Sequence, residues 1–265
     1  MASSNAAKSA SRREQLRAAR EREAAAARRK RIIIVTVVVV IIAALVAVIA
    51  MAASGVFSSK SGSSTKGTAT TVSVRPPNAS PGDKGVFSAD NTNNSAPVLT
   101  VVDDFQCPAC HQYETVYGPV FKSLAKKGEI RLEYRTRYFL DINLKNDSSV
   151  RAARAAAIAD TFGKYQEYHD TVFSNQPSQE GVGYTDDQLR NSFPQAAGIT
   201  GDDLAKFQSS YDKGEMNAFV DAVDRQAQAD GYNGTPTFLA NDRKIDMPRK
   251  TNPTEDDIMK LVRGV

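Results

Sequence analysis

The stretch VLTVVDDFQCPAC, residues 98–110, decides the fold of this chain. It opens with the apolar, β-branched run 98–102, which is typical of a strand buried on both faces in the middle of a sheet. Residues 103–106 lead from that run to Cys107. Pro108 then occupies the position where proline is best tolerated in a helix, its first residue. The stretch therefore predicts a central strand followed by a helix that begins beside Cys107.

The sequence around this stretch predicts an α/β domain with a mixed sheet over residues 86–265. The helix from Pro108 is expected to run past Tyr117 and to kink or break at Gly118-Pro119. The order of elements in the domain is strand, helix, strand, a helical insertion over about 145–230, a hairpin and a last helix. The further elements are a strand over 130–135, helices over 150–162, 164–173, 185–197, 201–211 and 216–229, strands over 237–240 and 243–245 joined by a turn at 241–242, and a helix from Pro253 to Val262.

Cys107 and Cys110 are the only cysteines in the sequence. If Cys107 stands at a helix start, Cys110 lies one turn on, and the two sulfurs can approach disulfide distance. A loop this short gains little stability from closure, so a redox role accounts for the pair better than a structural one. Backbone N–H groups and the helix dipole favour the thiolate of Cys107. We therefore expect Cys107 to be the nucleophile and Cys110, deeper in the helix, to be the resolving thiol.

Three other interpretations of the cysteine pair stay open at this stage. A zinc site would need two more ligands, and His111 and His169 are the only histidines. His111 is adjacent to Cys110 and poorly placed to share a metal with it, so we expect neither a metal nor another cofactor. The second interpretation is an inert local disulfide. The third is a binding module or chaperone whose cysteines are incidental.

Residues 32–53 form an uncharged, almost wholly apolar run of 22 residues, IIIVTVVVVIIAALVAVIAMAA. At about 1.5 Å per residue this length spans a hydrocarbon core of roughly 30 Å. Arg28, Arg29, Lys30 and Arg31 flank it on the N-terminal side. The positive-inside rule then predicts a single-pass transmembrane helix with residues 1–31 in the cytoplasm and the rest outside. A cleaved signal peptide is the alternative, although its apolar region is usually about 7–15 residues.

The charge of the chain is concentrated in that N-terminal tail. The formal net charge is +4, but residues 1–31 hold ten Lys/Arg and three Glu, and the remaining 24 basic and 27 acidic residues give −3. The part beyond the tail has no basic excess that would bind nucleic acid. Residues 54–85 are rich in Ser, Gly, Thr and Pro and predict a flexible extracytoplasmic linker.

Residues 101–110 resemble the active-site segment of the DsbA-like thiol–disulfide oxidoreductases, in which an acidic residue precedes Phe-Gln-Cys-Pro-x-Cys. The later segment GTPTFL, residues 234–239, resembles their cis-proline loop, and the likeness extends in order over about 86–263. This family has a thioredoxin-like mixed sheet with an inserted helical subdomain. Ordinary thioredoxins lack so long an insertion and usually carry Trp-Cys-Gly-Pro-Cys, whereas this sequence has no Trp.

The resemblance implies a cis Thr235–Pro236 bond that lies against the cysteine pair. The backbone of Thr235 would then pair with an extended substrate segment, beside Pro108 and Ala109. An ordinary proline at the start of a strand is the alternative. The implied activity is the introduction of disulfides into exported proteins, with reoxidation by a quinone-linked membrane oxidase. The same site could instead work as a disulfide reductase or isomerase with a membrane-bound reductant.

Two positions depart from the family pattern. Val101 stands where the best-known members have a buried Glu that moves protons to the buried thiol. Asp103 or Asp104 could replace that Glu, or could be exposed or capping carboxylates. Ala109 stands where strong oxidants often have His, so we expect Cys107 to be less acidic than in those proteins and the couple to be less oxidising.

The sequence does not assign a single role to either histidine. His111 could influence Cys107 electrostatically from the same helix or could be a partly exposed surface residue. His169 is expected to be a packed or surface residue of the helical insertion.

Overall fold

A computed structural model describes residues 74–264 of the chain. Over these residues five strands form one mixed sheet in the order β1-β3-β2-β4-β5. In chain order the strands are β1 (Val86–Phe87), β2 (Val98–Asp104), β3 (Arg131–Arg137), β4 (Thr237–Ala240) and β5 (Arg243–Ile245).

Strand β2 occupies the centre of the sheet, as the apolar run predicts. It pairs in parallel with β3, with Val98 opposite Arg131, and antiparallel with β4. The strand continues past the predicted run to Asp104, and six of its seven residues are buried. Because successive side chains of a strand point to opposite faces, Asp103 and Asp104 lie on different sides of the sheet.

The helix that follows β2 is α1 (Pro108–Lys126), and it runs without interruption through Gly118-Pro119. A break at this point is therefore wrong, and the alternative, a kink, stays a prediction. Pro119 removes one helical hydrogen bond, at a typical cost of about 3 kcal/mol. The buried side chains of Tyr117, Phe121 and Leu124, spaced at i, i+4 and i+7, outweigh that cost by packing into the core.

The helical insertion lies between β3 and β4 and begins slightly earlier than predicted, at Leu140. The predicted helix 185–197 is instead a π-helical turn at Gln188–Ser192 that leads into a short α-helix. The chain returns from the insertion to the sheet after Ala229. The inserted helices are α2 (Leu140–Leu144), α3 (Ser148–Asp160), α4 (Tyr165–Ser174), α5 (Phe193–Ala196), α6 (Gly201–Lys213) and α7 (Asn217–Ala229).

The C-terminal elements follow the predicted order. Asn241 and Asp242 adopt positive φ angles of 49° and 62°, which suit the tight turn between β4 and β5. The last helix, α8 (Glu255–Arg263), starts two residues after Pro253. Thr254 caps it and exchanges hydrogen bonds with Asp257.

The folded part of the chain starts before the predicted boundary at residue 86. Asn78 donates hydrogen bonds to the buried Asp160, and Ala79 pairs with Val86. These polar contacts hold a segment whose composition resembles a linker. The predicted tail, the apolar run 32–53 and most of the predicted linker lie outside the described residues. Within residues 74–264, no helix is both long and apolar enough to cross a membrane.

Candidate active site

Cys107 caps the N-terminus of α1, and Pro108 is the first residue of that helix. The Cys107 sulfur accepts a hydrogen bond from the backbone N–H of Cys110 at 3.3 Å. The Cys107 N–H in turn donates to the carbonyl of Asp104 at the end of β2, at 2.9 Å. The strand thus fixes where the helix begins, and both cysteines are free thiols.

The helix start makes Cys107 the more acidic thiol. Hydrogen bonding from the Cys110 side chain, and then from the Thr235 side chain and the N–H groups of Cys110 and Ala109, outweighs the opposing effect of burial and lowers the pKa of Cys107 to about 6. Such a thiol is mostly thiolate at neutral pH and is a ready nucleophile.

Cys110 has the opposite character. Burial, together with the nearby Cys107 and Asp103, raises its pKa well above that of a free thiol. Cys110 is 3% exposed, whereas its neighbours Pro108 and Ala109 are exposed. Cys107 is itself only 6% exposed, but it adjoins these exposed residues at the start of the helix, whereas Cys110 faces the protein interior.

The loop before β4 lies against the cysteine pair. The Thr235–Pro236 peptide bond is cis, and the Thr235 carbonyl oxygen lies 3.5 Å from the Cys107 sulfur. Pro236 lines a small cavity together with Cys110. The structure thus brings the cysteine pair, Cys107 and Cys110, together with Thr235 and Pro236, which lie more than 120 residues further along the chain. That Thr235, Pro108 and Ala109 bind substrate stays a prediction.

Asp103 lies behind Cys110 and lines the same cavity. Its side chain is buried, and its Oδ2 is 2.8 Å from Nε2 of His169 on α4. Burial by itself lowers the pKa of His169, but the hydrogen bond with Asp103 and the nearby Asp170 and Glu114 raise it to about 9. Asp103 and His169 are thus a buried ion pair.

Asp104 faces the other side of the sheet and does not line the cavity at Cys110. It accepts hydrogen bonds from the Ser149 hydroxyl at 2.5 Å and from the backbone N–H groups of Gln106 and Leu140. Burial raises the pKa of Asp104 to about 7 despite these hydrogen bonds. The alternative that Asp103 and Asp104 are exposed carboxylates is wrong, because both are buried.

The comparisons with known proteins agree with this geometry. A family model described as thioredoxin matches residues 92–262. The chain belongs to the thioredoxin family. Within that family its fold is DsbA-like, because the helical insertion interrupts the sheet between β3 and β4.

Several solved structures share this thioredoxin-family fold. The reduced disulfide bond oxidoreductase DsbG from Mycobacterium tuberculosis is 25% identical, with a TM-score of 0.56 and coverage of 71% of this chain and 90% of that chain. Reduced DsbA from Mycobacterium tuberculosis is 23% identical, with a TM-score of 0.55 and coverage of 69% and 93%. MdbA, a thiol-disulfide oxidoreductase from Corynebacterium diphtheriae, is 19% identical, with a TM-score of 0.54 and coverage of 69% and 89%. A comparison with curated proteins returned no match.

Sequence reasoning missed two residues of this thioredoxin-family site. His169 was expected only as a packed or surface residue, and no local signal links it to Asp103, which is 66 residues away. Glu114 carries a local signal, because it stands four residues after Cys110 and so lies on the same face of α1. Its side chain is about 10% exposed.

The His111 imidazole makes no hydrogen bond to Cys107; only the backbone N–H of His111 donates to the Cys107 carbonyl, at 3.1 Å. His111 is half-buried, and its Nδ1 lies 2.8 Å from the Phe173 carbonyl oxygen at the end of α4. The contact ties the first turn of α1 to the helical insertion. His111 also lines an open pocket beside Glu114.

Among the described residues, the two histidines and two cysteines do not form a common ligand set. Glu114, His169 and Asp170 each place one donor atom within 4.8 Å of the others. The ammonium group of Lys122 lies 2.6 Å from Asp170 and 3.8 Å from Glu114. Lys122 and protonated His169 therefore already balance the negative charge of this cluster, which leaves little electrostatic attraction for a metal cation.

Proposed function

We propose that this chain is a protein thiol–disulfide oxidoreductase that introduces disulfides into exported proteins through Cys107 and Cys110. The observation that carries the proposal is the contrast between the two thiols. Cys107, at the helix start, has a lowered pKa, whereas Cys110 is buried and has a raised pKa. This division suits a nucleophile and a resolving thiol.

The reaction in the oxidising direction starts from the Cys107–Cys110 disulfide. A substrate thiolate attacks the sulfur of Cys107, which forms a mixed disulfide and releases Cys110. A second substrate thiolate then attacks the substrate sulfur of that mixed disulfide and releases Cys107 as a thiolate. The low pKa of Cys107 assists this last step, because thiols of low pKa are good leaving groups. The substrate loses two electrons and the cysteine pair gains them.

The lowered pKa of Cys107 also supports the oxidising direction, since a stabilised thiolate favours the reduced form of the pair. The strongest oxidants of this kind reach a pKa of about 3.5. A pKa of about 6 at Cys107 is the observation that keeps disulfide reduction or isomerisation as a second candidate.

The proposed location of the thioredoxin-family domain is the outer side of a cell membrane. The apolar run 32–53 and the four basic residues before it support a single N-terminal anchor with the thioredoxin-family domain outside. Disulfides persist in such oxidising compartments. The redox partner would then be another membrane protein, a quinone-linked oxidase for the forward reaction or a reductant for the reverse one.

The activity is tested with the full-length chain, oxidised and purified in detergent, mixed with a reduced and unfolded secreted protein that has several cysteines. We expect two free thiols to appear in the chain for each disulfide that appears in the substrate. A Cys107→Ser, Cys110→Ser variant is the matched control and should form no disulfides in the substrate. Full activity of that variant in cells would instead support a binding module or chaperone.

The topology is tested in intact cells with a membrane-impermeant thiol reagent. Labelling of Cys107 without cell lysis, and retention of the chain in the membrane after alkaline extraction, would support the proposed location. Protection of Cys107 until the cells are lysed would contradict it.

A further inference from the structure

The buried thiol of Cys110 poses a problem of proton transfer. Whatever the direction of exchange, Cys110 must change between thiol and thiolate in each cycle. It is 3% exposed, and burial disfavours its charged form. The family position that usually supplies a buried carboxyl group is Val101 in this chain.

Glu114 connects the surroundings of Cys110 with the solvent. It lines the small cavity that also contains Cys110, Asp103 and Pro236. It also lines an open pocket of about 230 Å³ on the other side, with His111 and Lys122. Glu114 and Phe173 are the two residues that line both spaces, and only the glutamate can carry a proton.

The sequence makes room for this carboxyl group. A Cβ atom at residue 118 would lie 2.2 Å from Oε1 of Glu114, so Gly118, one turn further along α1, leaves the space that the carboxyl group occupies. Oε1 is buried and has no hydrogen-bond partner among the described residues. The Lys122 ammonium lies 3.8 Å from this oxygen, beyond hydrogen-bond distance, so the oxygen can exchange a proton with a neighbouring thiol or water.

Charged and titratable groups face Glu114 from every element that packs around it. Burial raises the pKa of Glu114, Asp170 and Asp103 raise it further, and His169 and Lys122 oppose the rise. Tyr134 on β3 lies close enough for its own pKa to respond to Glu114. The facing groups are Cys110, His111 and Lys122 on α1, His169 and Asp170 on α4, Asp103 on β2 and Tyr134 on β3.

We infer that Glu114 carries the proton between the buried Cys110 sulfur and the solvent. The inference rests on the proposed exchange chemistry but not on its direction. Asp103 is the neighbouring carboxylate in the cavity, and its Oδ1 is also buried without a partner. Its Oδ2 is held by His169 at 2.8 Å, however, and unlike Glu114 it does not line the open pocket. His169 acts as a positioning residue that holds the Asp103 side chain in place.

Protons and electrons are conserved in this transfer, whichever way the disulfide exchange runs. When Cys110 leaves the enzyme disulfide as a thiolate, protonated Glu114 donates its proton to that sulfur and takes another from the solvent through the open pocket. When reduced Cys110 attacks the mixed disulfide at Cys107, the Glu114 carboxylate first accepts the thiol proton. Cys110 then forms the bond to Cys107, and the substrate sulfur leaves with the electron pair of the broken bond.

The test uses the full-length reduced chain, oxidised glutathione and rapid acid quenching, with mass spectrometry to count the mixed disulfide and the Cys107–Cys110 disulfide. In Glu114→Gln we expect the first step, attack by Cys107, to keep its rate. The second step, attack by Cys110, should slow on the order of 100-fold at pH 6, since loss of a general base typically lowers a rate by this factor. The rate of that step should then rise about tenfold per pH unit, because hydroxide must remove the thiol proton. Glu114→Asp retains a carboxyl group and should recover a pH profile with a plateau.

Glu167→Gln is the matched control, because Glu167 is exposed on α4 and pairs with Lys164. It should leave both steps unchanged. A second step in both Glu114 variants that has the wild-type rate and pH profile would overturn the inference and leave the proposed function intact. Failure of the wild-type chain to form either the mixed disulfide or the Cys107–Cys110 disulfide would instead contradict the proposed function.

Discussion

The two ends of the first turn of α1 give the same chemical group opposite properties. At the front, Cys107 is surrounded by hydrogen-bond donors, and its pKa falls to about 6. At the back, Cys110 faces a cavity lined by the carboxyl-bearing residues Asp103 and Glu114, and its pKa rises. The difference shows that helix geometry accounts for the nucleophile, whereas the resolving thiol depends on side chains from α1 and β2, with α4 holding one of them in place.

The largest expected contrast between front and back is in alkylation rate. At pH 7 Cys107 is mostly thiolate and Cys110 is almost entirely thiol, so iodoacetamide should modify Cys107 at least about 100-fold faster. The rate at Cys107 should rise to half its maximum near pH 6. Peptide mass spectrometry of briefly treated reduced chain gives both rates. Equal labelling rates of the two cysteines would contradict the difference in acidity between Cys107 and Cys110.

Removing one member of the buried Asp103–His169 pair behind Cys110 should lower the free energy of unfolding. Asp103→Ala leaves His169 buried without its partner, and loss of one member of such a pair typically costs about 3–5 kcal/mol. Denaturant unfolding of the reduced chain measures this change.

Asp212→Ala is the control for that variant. Asp212 pairs with Arg190 at the same distance of 2.8 Å but is about half exposed, so its loss should change stability little. Equal effects of the two substitutions would show that burial of the Asp103–His169 pair carries no energetic weight.

A smaller effect, which depends on pH, is expected on the other face of β2. The pKa of Asp104 is raised to about 7 in the folded state from 3.8, so its contribution to stability is fully present below about pH 4 and is lost as the pH rises through 7. This loss amounts to at most about 4 kcal/mol. Asp104→Asn should remove this pH-dependent loss, so that the stability of the variant rises relative to that of the wild type between pH 4 and pH 8. Parallel stability curves for the two chains would contradict the assignment.

The neighbours Asp103 and Asp104 also show how far the sequence could predict the site. The strand, the helix start and the cysteine pair follow from residues adjacent in the chain, and so does the hairpin turn at Asn241-Asp242. The roles of the two aspartates depend on which face of β2 each occupies and on partners 45 to 66 residues away. No local pattern encodes those partners.

The Gly118-Pro119 pair illustrates a different limit. Local propensity predicts a break in the helix, but burial of the surrounding apolar side chains holds α1 continuous. The glycine instead makes space for the Glu114 carboxyl group. This use of glycine cannot be read without the packing, because it depends on where the glutamate side chain lies.

The most direct test of the account is the difference in melting temperature between the reduced and oxidised forms of the full-length chain across pH 5 to 9. The folded pKa of Cys107 lies below its unfolded value of about 9, so stabilisation of the reduced form is fully present above pH 9 and is lost as the pH falls through 6. We therefore predict that the reduced form melts at the higher temperature at pH 8 and that the difference shrinks toward pH 5. An oxidised form that is the more stable at every pH would contradict a stabilised thiolate at Cys107.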